Sequence, residues 1–226
     1  MKTPLLLLHG AIGASCQLKT IAGLLASDYD VHLLNFPGHG GEAFPEEAFS
    51  IPLFSTSVHH YIQKHQLKHP VIFGYSMGGY VAMHLAKQHP QLIRKIITLG
   101  TKFHWDETIA NRETKMLNPE TIAAKVPVFA AGLEAIHAPN NWREVLQRTT
   151  DMLLAMGQSN PLQPEDYKTI QTPVLIMLGD RDKMVTLEET VNTYKNLPNA
   201  HLAVLPDTPH PIEQVNAEMI NWFIRQ

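Results

Sequence analysis

Short runs of consecutive apolar residues alternate along this chain with longer stretches in which apolar positions recur every three or four residues. The runs fall at Pro4–His9, Asp30–Asn35, Pro70–Tyr75, Lys95–Leu99, Pro173–Leu178 and His201–Leu205. They are short and mostly bounded by Gly or Pro, which favours strands buried on both faces over buried helix. Helical spacing covers Gln17–Ala26, Pro52–His65, Met77–Gln88, Leu187–Asn196 and Asn216–Ile224. In the first of these, Leu18, Ile21, Ala22 and Leu25 share one face that can cover a sheet. Regular alternation of this kind predicts an α/β fold, a mostly parallel sheet of about six strands flanked by helices.

Between Leu99 and Pro173 the alternation stops. This interval holds helical segments near Asp106–Met116, Pro119–His137 with Pro127 interrupting, and Trp142–Met156. A compact domain seldom carries so long an excursion without a use, and active-site lids are a common one. The expected organisation is therefore a core from residues 1–102 and 169–226, with residues 103–168 inserted as a small helical cap.

Composition adds limits. With 226 residues, 44% of them hydrophobic, the chain is long enough for one large core. The formal charge of −3 gives no basic excess, so nucleic acid and membrane are not expected partners and a small molecule is. Cys16 is the single cysteine and cannot form an internal disulfide. The apolar run Leu5–Leu8 is too short for a signal-peptide core or a membrane span, so the expected location is cytoplasmic.

Candidate chemistry begins at Gly74-Tyr75-Ser76-Met77-Gly78, which sets G-x-S-x-G between an apolar strand and an amphipathic helix. A serine on so sharp a turn is strained, and side chains at Gly74 or Gly78 would collide with the backbones beside them. Alone, such a pentapeptide arises by chance in roughly 5–10 chains of this length in a hundred. Its strand-before, helix-after context carries the weight.

With Gly79 following, the segment resembles the nucleophile elbow of the α/β-hydrolase superfamily, and the resemblance extends over nearly the whole chain. It implies Ser76 as nucleophile, then an acid after the next-to-last strand and a histidine after the last. Gly179-Asp180-Arg181-Asp182-Lys183-Met184-Val185 looks like the family's G-x-x-D-x-x-V segment and selects Asp182 over its rival Asp180. Asp207-Thr208-Pro209-His210-Pro211 supplies His210 as general base, although the family more often has Gly where this chain has Pro209. His9-Gly10-Ala11 resembles the family's oxyanion loop, which makes the backbone N–H groups of Ala11 and Met77 the expected donors. Phe36-Pro37-Gly38-His39-Gly40 resembles its D-x-P-G-x-G turn, with Asn35 replacing the usual Asp. His9 and His39 are read as scaffolding. The sheet is expected to begin at the oxyanion-loop strand, without the N-terminal hairpin common in the family.

The expected pocket residues are Ile12, Tyr80, Phe103, Trp105, Phe129, Trp142 and Met156, with core packing the competing role for those in the cap. His59, His60, His65 and His69 have no carboxylate or cysteine beside them and are not read as a metal site. Neither cofactor nor metal is expected. The constellation implies attack by Ser76 on a carboxylic ester, thioester or lactone through an acyl-enzyme. Two alternatives stand beside it. One is a lyase resembling the menaquinone-pathway succinyl-hydroxycyclohexadiene carboxylate synthase, where an arginine commonly occupies the position of Tyr80; the other is a ligand sensor that keeps the fold without turnover.

Overall fold

A computed structural model describes residues 2–226. Its six strands are β1 (Thr3–Leu8), β2 (Tyr29–Leu34), β3 (Val71–Tyr75), β4 (Lys95–Leu99), β5 (Val174–Gly179) and β6 (Ala200–Leu205). They form one sheet in the order β2-β1-β3-β4-β5-β6, and every neighbouring pair is parallel. Parallel neighbours cannot be joined by a tight turn, so each crossover carries a helix.

Those helices explain the continuous apolar runs. Leu6 and Leu8 of β1 point into a core closed by α2 (Ile51–Lys64) and α3 (Met77–Gln88). Leu5 and Leu7 point the opposite way, against α1 (Lys19–Leu25) and the last helix, α10 (Ala217–Arg225). Successive side chains of a strand alternate faces, and with both faces covered all four leucines are buried. The edge strands β2 and β6 carry Asp30, His32 and His201 and are only partly buried. Charged and polar side chains on an edge discourage pairing with another chain.

Four helices of the long excursion follow β4: α4 (Glu107–Thr114), α5 (Pro119–Lys125), α6 (Pro127–His137) and α7 (Trp142–Gln158). Asp106, Asn118 and Asn141 cap α4, α5 and α7 through their side-chain oxygens. Pro127 separates α5 from α6 because proline opens a helix readily and cannot continue one. Ile122, Ala130, Leu133, Trp142 and Leu146 make a small core inside this layer. The other face of α7, through Val145, Met152, Leu153 and Met156, merges with the main core. A short helix not anticipated from the sequence, α8 (Pro164–Tyr167), returns the chain to β5 and packs on α9 (Leu187–Asn196). Among the described residues no helix is long and apolar enough to cross a membrane.

Tyr80 of α3 ties this return segment to the sheet. Its ring is 1% exposed, and its hydroxyl accepts from Leu162 N–H at 3.0 Å while donating to Asn160 Oδ1. Tyr80→Phe leaves the Leu162 N–H buried without an acceptor. The expected loss is about 1–3 kcal/mol in the free energy of urea unfolding; an unchanged midpoint would show that the hydroxyl contributes nothing there.

Candidate active site

All strands end at the same edge of the sheet, where open parallel sheets bind ligands. The sharpest of these ends is the β3–α3 turn. Ser76 lies there at φ 50° and ψ −118°, a conformation that costs a non-glycine residue strain unless its surroundings hold it. Its N–H donates to Leu99 O at 2.8 Å, and its carbonyl accepts from Thr101 Oγ1 at 2.9 Å and Gly79 N–H at 3.0 Å. A Cβ on Gly74 would stand 2.4 Å from Gly79 N, and one on Gly78 would stand 2.4 Å from Leu8 O. The glycine spacing read from the sequence is thus a record of backbone-to-backbone contact.

Asp182 follows β5 and His210 follows β6, and the two meet across the β4 end. His210 Nδ1–H donates to Asp182 Oδ2 at 2.7 Å, while Asp182 Oδ1 accepts from Met184 N–H at 2.8 Å and Val185 N–H at 2.9 Å. Burial pushes this carboxyl up, but its bond to His210 and the two backbone donors outweigh that and hold it below the ordinary carboxylate value. With the proton on Nδ1, Nε2 keeps its lone pair. Asp180 takes a different part: its Oδ1 accepts from Thr208 N–H at 3.2 Å, joining the two loops without touching His210. Gly100, at φ 58°, passes beneath the pair, and a Cβ there would come within 3.1 Å of Asp182 Oδ2 and 3.2 Å of His210 Nδ1. Tyr75 fixes the His210 backbone by donating to its carbonyl at 2.9 Å.

Ser76 and His210 line one cavity of about 420 Å³, together with Ala11 and Met77. Among the described residues no protein acceptor takes the N–H of Ala11 or of Met77; Met77 opens α3, where an amide has no partner in its own helix. Of the pocket residues expected from the sequence, Ile12, Tyr80, Trp105, Phe129 and Met156 line the cavity. Phe103 and Trp142 do not. Phe103 is 2% exposed and edge-on to Tyr167, and Trp142 is spent on the small core between α5, α6 and α7, with the Arg143 guanidinium 4.5 Å over its ring.

The cavity wall also includes residues that the sequence reading missed. Met116, Leu117, Leu133 and Leu153 extend its apolar surface, and with Met77, Met156 and Met184 methionines contribute four of its side chains. Lys102 and Glu113 line it as well. The Lys102 ammonium donates to Met184 O at 2.5 Å and sits 3.5 Å from Glu189 and 3.8 Å from Glu113, so its charge is balanced by two nearly buried carboxylates. Its place three residues past β4, at the ligand-binding edge, was the available signal.

A family model described as the α/β hydrolase fold matches residues 3–118 of the chain. The chain belongs to the α/β-hydrolase family. Among curated relatives it is 23% identical to an uncharacterized hydrolase of Bacillus subtilis, over 97% of this chain and 88% of that protein. It is 26% identical to a pimeloyl-[acyl-carrier protein] methyl ester esterase of Chromobacterium violaceum, over 90% of this chain and 83% of that one. Among solved structures, an α/β-hydrolase enzyme from a Medee basin deep-sea metagenome library superposes with a TM-score of 0.82 at 14% identity, covering 99% of this chain and 88% of that chain.

Three histidines of this α/β hydrolase are fully buried near the loop that follows β1: His9, His39 and His137. His9 Nδ1–H donates to Gly10 O at 2.8 Å and Nε2 accepts from Phe36 N–H at 3.2 Å, which leaves neither nitrogen for acid–base work. His39 stacks on Phe49 and donates to Pro37 O. On the surface, His59 stacks on His89 and His65 on Tyr61, and among the described residues no group of three or more potential metal ligands forms.

Burial, the largest cause, lowers the pKa of all three buried rings, that of His9 from 6.5 to about 4. Below pH 6.5 the unfolded chain therefore binds protons that the native state refuses. Stability is fully present above that value and is lost as the pH falls, for His9 toward about 4, by up to about 1.4 kcal/mol per pH unit for each ring. Urea midpoints measured between pH 7.5 and 5 should fall accordingly, and His39→Phe should make the decline shallower; an equal slope in that variant would mean His39 titrates alike in both states.

Proposed function

We propose that this α/β hydrolase is a serine esterase that cleaves a small carboxylic ester, or a thioester or lactone, through an acyl-enzyme on Ser76. The observation that carries the reading is the 2.7 Å bond from His210 to Asp182, whose other oxygen is taken by two backbone donors, at the edge of a cavity that Ser76 also lines. A carboxylate held this way fixes the histidine tautomer and stabilises the imidazolium formed when His210 Nε2 takes the Ser76 hydroxyl proton. As Ser76 Oγ bonds to the carbonyl carbon, the carbonyl π pair moves onto oxygen, facing the Ala11 and Met77 amides. Collapse breaks the bond to the leaving group, which receives the proton from His210. Water, deprotonated by the same nitrogen, then attacks the acyl-enzyme, and the acid departs as Ser76 regains its proton.

The predominantly apolar wall favours an apolar acyl or alcohol group, and the esterase relative is consistent with an ester bond as the target. Little supports the lyase alternative: the Tyr80 hydroxyl is engaged by Asn160 and Leu162, and Lys102, the one lysine or arginine that lines the cavity among the described residues, is already neutralised.

Initial rates on p-nitrophenyl acetate, butyrate and octanoate test the reading. Multiple turnovers are expected, faster on the longer chains, with a fall of about 10³-fold or more in Ser76→Ala, the scale for a lost nucleophile. Undiminished activity in that variant would rule out the proposed acyl-enzyme, and a single turnover by the unaltered protein would favour a sensor.

A further inference from the structure

The loop that presents Ala11 is not self-supporting. Ile12, next in the chain, has φ 53°, the left-handed region that a β-branched side chain rarely enters. A residue persists there only where its neighbours over-determine the backbone, and here those neighbours belong largely to the cap. His137, the last residue of α6, is fully buried beneath the loop. Its Nε2–H donates to Ile12 O at 2.9 Å, and its Nδ1 accepts from Gly40 N–H at 3.1 Å.

From Gly40 the bonding continues back to the same loop. Gly40 O accepts from Asn35 Nδ2 at 3.2 Å, and Asn35 Oδ1 accepts from Ser15 N–H at 2.7 Å. The circuit from Ile12 through His137, Gly40 and Asn35 to Ser15 is thus closed, with both ends on the oxyanion loop and one member on the cap. Two further contacts support it. The Ile12 side chain packs against the cap's own core, and Asn140, just beyond α6, donates to Gly38 O at 3.1 Å and Glu42 O at 2.6 Å, tying the middle turn to the cap.

We infer that His137 is a positioning residue: from the cap, it holds the loop at residues 11–15 in the shape that aims the Ala11 N–H at the reacting carbonyl oxygen. The inference rests on the acyl-enzyme reading for its catalytic consequence and on geometry alone for its structural one. His137 does not line the cavity, and both its nitrogens are committed to backbone, so it transfers no proton in the reaction. Its effect falls on the transition state, because an oxyanion donor displaced by a fraction of an ångström loses stabilisation that the ground state never drew on.

Two substitutions separate this role from mere packing. Asn places an oxygen near the ring Nδ1 position and keeps the Gly40 contact, but is too short to reach Ile12. Gln extends an N–H to the Nε2 position. In His137→Asn, kcat on p-nitrophenyl butyrate should fall roughly 10- to 100-fold with KM changed less than about threefold, since a donor is misplaced but not removed. Amide exchange of residues 10–13 should accelerate while that of residues 77–86 does not. His137→Gln should recover most of kcat and of the protection. A loss confined to KM, equal loss in both variants, or unchanged exchange at residues 10–13 would overturn the inference. If the unaltered protein hydrolyses no ester, the acyl-enzyme reading fails, and exchange alone decides the anchor: faster in Asn and restored in Gln supports it, unchanged in Asn overturns it.

Discussion

Backbone passing against backbone without room for a Cβ is the constraint on which the site depends. Gly78 meets the end of β1 and Gly74 meets the first turn of α3, while Gly100, at φ 58°, runs close under the side chains of the Asp182–His210 pair. The first two contacts force the chain through the turn that lifts Ser76 off the sheet. The third lets loops from β5 and β6 close over β4 and converge on the same edge. A side chain at Gly74 or Gly78 would separate elements whose near contact is what gathers residues from distant parts of the sequence into one cavity.

Around that rigid base, support comes from groups that take no part in the chemistry proposed for the site. Tyr75 holds the His210 backbone, Thr101 holds the Ser76 carbonyl, and Lys102 binds the carbonyl of Met184, whose own N–H binds Asp182. The order of the sheet dictates who can support whom. Because β1 lies between β2 and β3, the loop after β1 can lean on the turn after β2, and the helices that follow β4 reach both through His137.

The sheet was legible in the sequence because burial on both faces leaves an unmistakable apolar run, and strand positions needed only shifts of a residue or so. The glycine spacing marked the sharp turn at Ser76, and chain order picked out Asp182 and His210, which the structure brings into contact. The cap interior was harder to read. A helical period shows which residues share a face but not what that face meets, so Trp142, which fills the core between these helices, was expected in the pocket, while Leu133, which touches both that core and the cavity, was passed over. His137 was invisible for a related reason. Its partners are main-chain atoms of Ile12 and Gly40, and a backbone acceptor leaves no trace in residue type. Lys102 and Glu113 belong to no motif, and only the fold shows that both line the cavity.

The four methionines in the cavity wall, Met77, Met116, Met156 and Met184, give the binding space a mechanical character of its own. An unbranched thioether turns about three bonds with little penalty and is soft enough to follow an irregular outline. Such a lining behaves as upholstery, yielding to guests of different contour, while the glycine-packed turn at Ser76 stays stiff at one end. The same sulfurs are open to oxidation, and a sulfoxide would turn a dry, compliant wall into a polar one. Accommodation and oxidative vulnerability therefore come from the same four atoms.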